Sequence, residues 1–169
     1  MERAPQTLVI DASTAAKWFL EEEDSDRALS VRDAHIEGRI KLTAPDLIVY
    51  EVANALNYNS RVSDTQLTAR VQDLSDYDLD LVPPSAEYTA RIVRTARELS
   101  VSVYDASYIA LSDIIATNLV TADRKLHEKI SNKRQSYLLH EMGQTWNLQE
   151  IIRDKKTSRL PKHHRIRTT

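Results

Sequence analysis

The strongest constraint on the fold is the alternation of short apolar runs with longer segments of helical character. The runs that have the length and composition of buried strands are residues 7–11, 40–44, 79–82, 118–121 and 136–139. A helix is predicted at about 12–20, and a second one follows the acid run 21–26 and ends between residues 33 and 38. Further helices are predicted at 46–59, 64–77, 85–100, 104–116, 123–130 and 147–153. Strands joined through helices form parallel sheets that are covered on both faces. The sequence therefore predicts an α/β fold, a three-layer α/β/α architecture with a central parallel sheet of four to five short strands. The neighbouring helices 46–59 and 64–77 add a helical hairpin.

The charge distribution divides the chain into an acidic body and a basic tail. The 169 residues carry 23 Lys and Arg against 25 Asp and Glu. Residues 153–169 hold seven of the bases and one acid, a net charge of +6, which leaves 16 bases and 24 acids, or −8, for residues 1–152. We expect residues 1–152 to form a single domain and residues 153–169 a basic C-terminal tail. Because an acidic surface repels phosphate, any nucleic-acid function must account for these acids.

Composition excludes several classes of site. The chain has no cysteine, so it has no disulfide scaffold, thiolate zinc site, iron–sulfur cluster or cysteine nucleophile. Its only glycines, Gly38 and Gly143, are too few for a P-loop, a dinucleotide-binding loop or the glycine-rich loop of a kinase. No apolar stretch has the length of a membrane span and the N-terminus lacks the plan of a signal peptide. A cytoplasmic protein with no membrane segment is expected.

Four acids occupy positions that surface acids rarely take. Asp11 ends the first apolar strand and Asp123 follows the fourth, at the edge where parallel sheets bind ligands. Glu51 lies in an apolar stripe of helix 46–59, and Asp105 begins helix 104–116. Each acid also has an ordinary interpretation. Asp105 and Asp123 suit helix caps, Asp11 suits a turn, and Glu51 suits an ion pair with a buried arginine.

Together the four acids favour a metal site. Converging carboxylates repel one another and are forced to take up protons. A divalent cation removes that repulsion, and hard oxygen ligands select Mg²⁺ or Mn²⁺. The set therefore predicts an Mg²⁺ or Mn²⁺ site formed by carboxylates.

Four motifs, in order, resemble those of the PIN-domain nucleases, and most of all the toxins of VapBC toxin–antitoxin pairs. They are residues 9–13 with 17–19 (VIDAS, KWF), 45–47 with 51–56 (PDL, EVANAL), 104–111 (YDASYIAL) and 119–126 (LVTADRKL). The resemblance covers about residues 7–140. A haloacid-dehalogenase phosphatase is excluded, because it requires a second Asp where this chain has Ser13. A receiver domain is excluded by the lack of paired acids near the end of the first strand.

The resemblance implies an activity and a set of roles. Asp11, Glu51, Asp105 and Asp123 would coordinate Mg²⁺ or Mn²⁺, Glu51 directly or through water, and the chain would cleave RNA phosphodiester bonds. Ser13, Thr121 and Asn54 would support the acids. Helix 46–59 and its partner would contribute to a homodimer, and a small antitoxin protein would cover the site.

Contacts to RNA phosphate are expected from bases near the acids. Lys17 and Arg124 are the candidates, each with the alternative of an ordinary exposed base. The basic tail suits either a nonspecific electrostatic arm for RNA or a disordered solubilising segment. The alternative function is a catalytically silent PIN-fold module that binds RNA or a partner protein.

Overall fold

The computed structural model describes residues 5–143. Its strands are β1 Gln6–Ile10, β2 Ile40–Pro45, β3 Asp80–Val82, β4 Leu119–Thr121 and β5 Ser136–Leu138. Its helices are α1 Ala12–Ala15, α2 Ser25–Ile36, α3 Leu47–Asn57, α4 Asp64–Asp76, α5 Ala86–Leu99, α6 Val103–Ile114 and α7 Arg124–Ile130. Short 3₁₀ turns cover Ala16–Trp18 and Leu139–Glu141. The predicted helix 147–153 and the basic tail lie outside the described residues.

All five strands form one parallel sheet in the order β3-β2-β1-β4-β5. The chain runs outward from β1 through β2 to β3 and then crosses to β4 on the other side of β1. In the register, Val9 of β1 lies opposite Thr43 of β2 and Leu119 of β4. The direction of winding therefore reverses between β1 and β4, where open parallel sheets bind their ligands beyond the carboxyl ends.

The core lies between this sheet and the helices that flank it. Leu8, Val9 and Ile10 of β1 are fully buried, as central strands covered on both faces require. From α6, residues 106–112 are also buried. The three-layer α/β/α architecture and the parallel sheet are thus confirmed, and α3 and α4 form the predicted helical hairpin. No helix among residues 5–143 combines the length and hydropathy of a membrane-spanning segment.

The first helix is shorter than predicted. α1 ends at Ala15, and a 3₁₀ turn carries the chain to Trp18 in place of a helix that continues to residue 20. Trp18 is almost fully buried, and its Nε1 donates a hydrogen bond of 2.9 Å to the carbonyl of Ala28 in α2. Burial of this large ring against α2 outweighs local helix propensity, which is a weak determinant of structure.

Candidate active site

Asp11 sits at the carboxyl end of the central strand. Its backbone N donates to the carbonyl of Val120 in β4 at 3.3 Å, so the acid lies at the β1–β4 switch. Its Oδ1 accepts hydrogen bonds from Ser13 Oγ at 2.7 Å and from Thr14 N at 3.0 Å, which makes Asp11 the N-cap of α1. Burial raises the pKa of Asp11 above its usual value, while hydrogen bonds from Thr121, Ser13 and Thr14 act in the opposite direction.

Glu51 reaches the same site from α3. Its side chain is half-buried, and its Oε2 accepts a hydrogen bond of 2.5 Å from Tyr108 Oη in α6. Burial raises the pKa of Glu51, the negative charges of Asp11 and Asp105 raise it further, and the Tyr108 hydrogen bond lowers it. The Glu51 carboxylate therefore lies close enough to Asp11 and Asp105 to be affected by their charges. The expected ordinary partner, a buried arginine, is replaced by a tyrosine. In the sequence, the spacing of Tyr108 three residues after Asp105 places both on one face of a helix, but it does not identify Tyr108 as the partner of Glu51.

Asp105 lies in the first turn of α6 and is partly buried. The N-cap of this helix is Ser102, whose Oγ accepts from Asp105 N at 3.0 Å and donates to Asp105 Oδ2 at 2.7 Å. Ser102 therefore takes the capping role that was the ordinary interpretation of Asp105. The hydrogen bond from its hydroxyl holds the carboxylate at the helix start.

Asp123 caps α7, as its ordinary interpretation predicts. Its Oδ1 accepts a hydrogen bond of 3.0 Å from Leu126 N, and its own N donates to Thr121 Oγ1 at 3.0 Å. The side chain is exposed. Because β4 pairs with β1, this cap stands beyond the strand adjacent to Asp11.

Two of the three predicted supporting residues connect the strand ends. Ser13 Oγ donates to Asp11, accepts from Ala122 N at 2.9 Å and lies 3.4 Å from Thr121 Oγ1. Thr121 is fully buried. Asn54 is exposed on α3 one turn after Glu51, and within the described part of the chain its side chain has no hydrogen bond to the four acids.

The two predicted phosphate contacts differ in their surroundings. Lys17 Nζ binds Glu22 Oε1 at 3.0 Å and the carbonyl of Glu23 at 2.9 Å, so its charge is already neutralised. Arg124 is the exposed first residue of α7, and it has no ion pair with any residue in the range 5–143. Arg124 is therefore the better placed of the two to meet a phosphate.

The donor set of the predicted acids fits a hard divalent cation. It consists of carboxylate oxygens supported by hydroxyls; burial disfavours the ionised form of Asp11, and burial together with the charges of Asp11 and Asp105 disfavours that of Glu51. A cation would offset both effects. In the described residues no three of these acids have ligand atoms within 4.8 Å of one another.

A different group meets that spacing, namely Glu23, Asp24 and His140. Arg27 forms an ion pair with Asp24 and donates to the carbonyl of His140 at 2.6 Å. This guanidinium already supplies the positive charge, so the group is an ion-paired cluster that joins α2 to the end of the described chain.

Comparisons with known proteins identify the family of the fold. The family model described as PIN domain matches residues 8–131. Ribonuclease VapC3 from Pyrobaculum aerophilum is 33% identical over 126 residues, which cover 72% of this chain and 93% of that protein. The crystal structure of PAE2754 from the same organism has a TM-score of 0.57 at 26% identity and covers 75% of this chain and 80% of that one. FitAcB from Neisseria gonorrhoeae has the same TM-score at 10% identity, covering 80% of this chain and 99% of that one, a likeness of fold alone.

Proposed function

Because the chain belongs to the PIN domain family, in its VapC-type nuclease branch, we propose that it is a divalent-metal-dependent endoribonuclease and the toxin of a toxin–antitoxin pair. The observation that carries the proposal is the placement of Asp11 at the β1–β4 switch, with Glu51 joined through Tyr108 to the helix that also carries Asp105. Carboxylates from three separate elements lie at the ligand-binding edge of a parallel sheet, and an Mg²⁺ or Mn²⁺ ion bound there would draw them together and offset their negative charge.

In this proposal, Asp11, Asp105 and Asp123 hold the ion and Glu51 holds it directly or through water. The bound ion supplies Lewis-acid activation of a water molecule and offsets charge on the phosphate. The chain fixes these ligands beforehand. Hydrogen bonds from Ser13 and Thr14 set the orientation of the Asp11 carboxylate, and Ser102 sets that of Asp105.

RNA is the proposed substrate, and the cytoplasm is the proposed location of the activity. Arg124 offers an exposed guanidinium for a phosphate near Asp123, and the basic segment 153–169 provides a further electrostatic contact. A bound ion would give the acid-rich site its attraction for phosphate, with Arg124 as a contact from the protein surface.

The protein partners are a small antitoxin and a second copy of this chain. Exposed aromatic residues on the hairpin support a homodimer through α3, since Tyr50 and Tyr58 are 74% and 81% exposed. Light scattering on the purified chain tests the dimer, and co-expression with the neighbouring reading frame tests whether a small partner suppresses toxicity.

The nuclease proposal is tested with the purified full chain and a panel of structured RNAs. Cleavage is expected with Mg²⁺ or Mn²⁺ and is expected to stop in excess chelator. Asp11→Asn and Asp105→Asn should each lower the rate by about 100-fold or more, since loss of outer-shell metal partners alone costs about 10–100-fold. Asp26→Asn, a change at an exposed acid of α2, is the matched control and should keep wild-type activity.

Cleavage that survives both substitutions, or that continues in chelator, would contradict the metal-nuclease proposal. Retention of RNA without cleavage in either metal would instead support the catalytically silent binding module. Sequencing of RNA ends from cells in which the chain is induced identifies the target.

A further inference from the structure

Among the described residues, the Glu51 side chain has a single hydrogen bond, which crosses from α3 to α6. Tyr108, the donor, is 3% exposed, and its Oη lies 2.5 Å from Glu51 Oε2. Tyr108 and Asp105 are three residues apart on α6, so they share one face of this helix. The phenol and a second acid of the site therefore come from the same rigid element.

The two carboxylate oxygens of Glu51 have different hydrogen-bond environments. Oε2 is engaged by the phenol, whereas no residue in the range 5–143 donates a hydrogen bond to Oε1. A glutamate side chain has several rotatable bonds, and a metal ligand loses affinity when its orientation is not fixed by outer-shell contacts. Fixing one oxygen leaves the other available in a defined place.

We propose that Tyr108 is a positioning residue for the metal site, whose hydroxyl holds Glu51 Oε2 so that Oε1 is presented to the divalent ion. This inference rests on the proposed function, because it assigns a role to Tyr108 within the same site. It predicts that loss of the hydroxyl weakens metal binding while the fold and the contacts to RNA stay intact.

Tyr88 provides a matched control in the same core. It is 6% exposed in α5, and its hydroxyl donates a hydrogen bond of 2.7 Å to the carbonyl of Ser107, the residue before Tyr108. Tyr88→Phe therefore removes a buried phenol hydroxyl from the same region without touching a carboxylate of the site.

In the experiment, the full chain is titrated with Mn²⁺ alone and the heat of binding is measured by calorimetry. The wild type, Tyr108→Phe and Tyr88→Phe are compared. The dissociation constant of Mn²⁺ is expected to rise about tenfold in Tyr108→Phe and to stay within about twofold of wild type in Tyr88→Phe. Half-maximal cleavage should need correspondingly more Mn²⁺, with the KM for RNA unchanged at saturating metal. In the Glu51→Gln background, Tyr108→Phe should cause little further loss, because the two residues act as a unit.

The outcomes separate the two hypotheses. A wild type that neither binds Mn²⁺ nor cleaves RNA would overturn the proposed function and this inference with it. A wild type that does both, with unchanged Mn²⁺ affinity in Tyr108→Phe, would overturn the inference alone. If circular dichroism shows that Tyr108→Phe does not fold, Glu51→Asp tests the same contact. The aspartate side chain is one methylene shorter, so its carboxylate cannot accept the hydrogen bond from Tyr108 and reach the metal ion at the same time. Unchanged Mn²⁺ affinity in that variant would also overturn the inference.

Discussion

Burial of the Asp11 carboxylate disfavours its ionised form and so lowers the stability of the folded chain at pH 7. The Asp11 side chain is 5% exposed, and burial raises its pKa above the ordinary value of 3.8. Asp11→Asn removes the charge and keeps an oxygen that can accept the hydrogen bonds from Ser13 Oγ and Thr14 N. We therefore expect this substitution to raise the free energy of unfolding of the chelator-treated protein at pH 7.

The size and sign of the effect follow from proton linkage. Each unit by which the folded pKa exceeds the unfolded one corresponds to about 1.4 kcal/mol. Because the folded state binds this proton more tightly, the stability that the proton confers is complete below the unfolded pKa and lost as pH rises through the folded pKa. The gain from Asp11→Asn at pH 7 is expected to fall within the range of about 0.5 to 2 kcal/mol that single stabilising changes commonly give. It should shrink as the pH falls toward the unfolded pKa.

Urea denaturation followed by circular dichroism at several pH values measures this difference. Asp26→Asn, at an exposed acid in the first turn of α2, should change the free energy of unfolding by less than about 0.5 kcal/mol at every pH. Excess Mn²⁺ should reverse the order of stability, since a ligand at 100 times its Kd adds about 2.7 kcal/mol to the form that binds it. A loss of stability in Asp11→Asn at pH 7, or a gain that does not depend on pH, would refute the reasoning.

Two further predictions concern charged residues outside the four acids. Arg134→Leu should lower the free energy of unfolding, measured in urea, by about 1 to 3 kcal/mol. Arg134 donates a hydrogen bond of 2.8 Å to Asp113 Oδ2, and its loss leaves that largely buried acid without this partner. An unchanged urea midpoint would contradict this prediction. Arg124→Ala should weaken RNA binding and reduce its salt dependence by about one counterion, whereas Lys17→Ala, at a lysine already paired with an acid, should do so less. Binding measured over a range of salt decides between them, and equal effects would contradict the assignment.

The order of the elements was predictable because each strand is short, apolar and bounded by polar residues. All five strands and the hairpin lie within a few residues of their predicted bounds. The end of α1 was not predictable in the same way. It depends on where Trp18 finds a buried hydrogen-bond acceptor, and that acceptor belongs to α2. Local periodicity contains no information about such a contact.

The same limit applies to the site. The places of Asp11 and Asp123 follow from strand ends, which the sequence marks clearly. The partner of Glu51 and the engagement of Lys17 with Glu22 depend on side-chain directions that only the folded chain defines. Proximity in sequence to Asp11 favoured Lys17 as a phosphate contact, but a nearby acid run offered it a closer partner. The roles of the four acids in metal binding and catalysis stay predictions.

Ordinary structural roles and the proposed catalytic roles of these acids are compatible, because a carboxylate has two oxygens. Asp11 and Asp123 use Oδ1 to cap helices, and Asp105 stands in the first turn of α6. Backbone N–H groups at the helix starts donate to Asp11 and Asp123, and the N-terminal end of α6 favours the negative charge of Asp105. Glu51, in the middle of α3, lacks that support. The hydroxyl of Tyr108 supplies a charge-assisted hydrogen bond instead, so the one acid that no helix terminus stabilises is the one that a buried tyrosine holds.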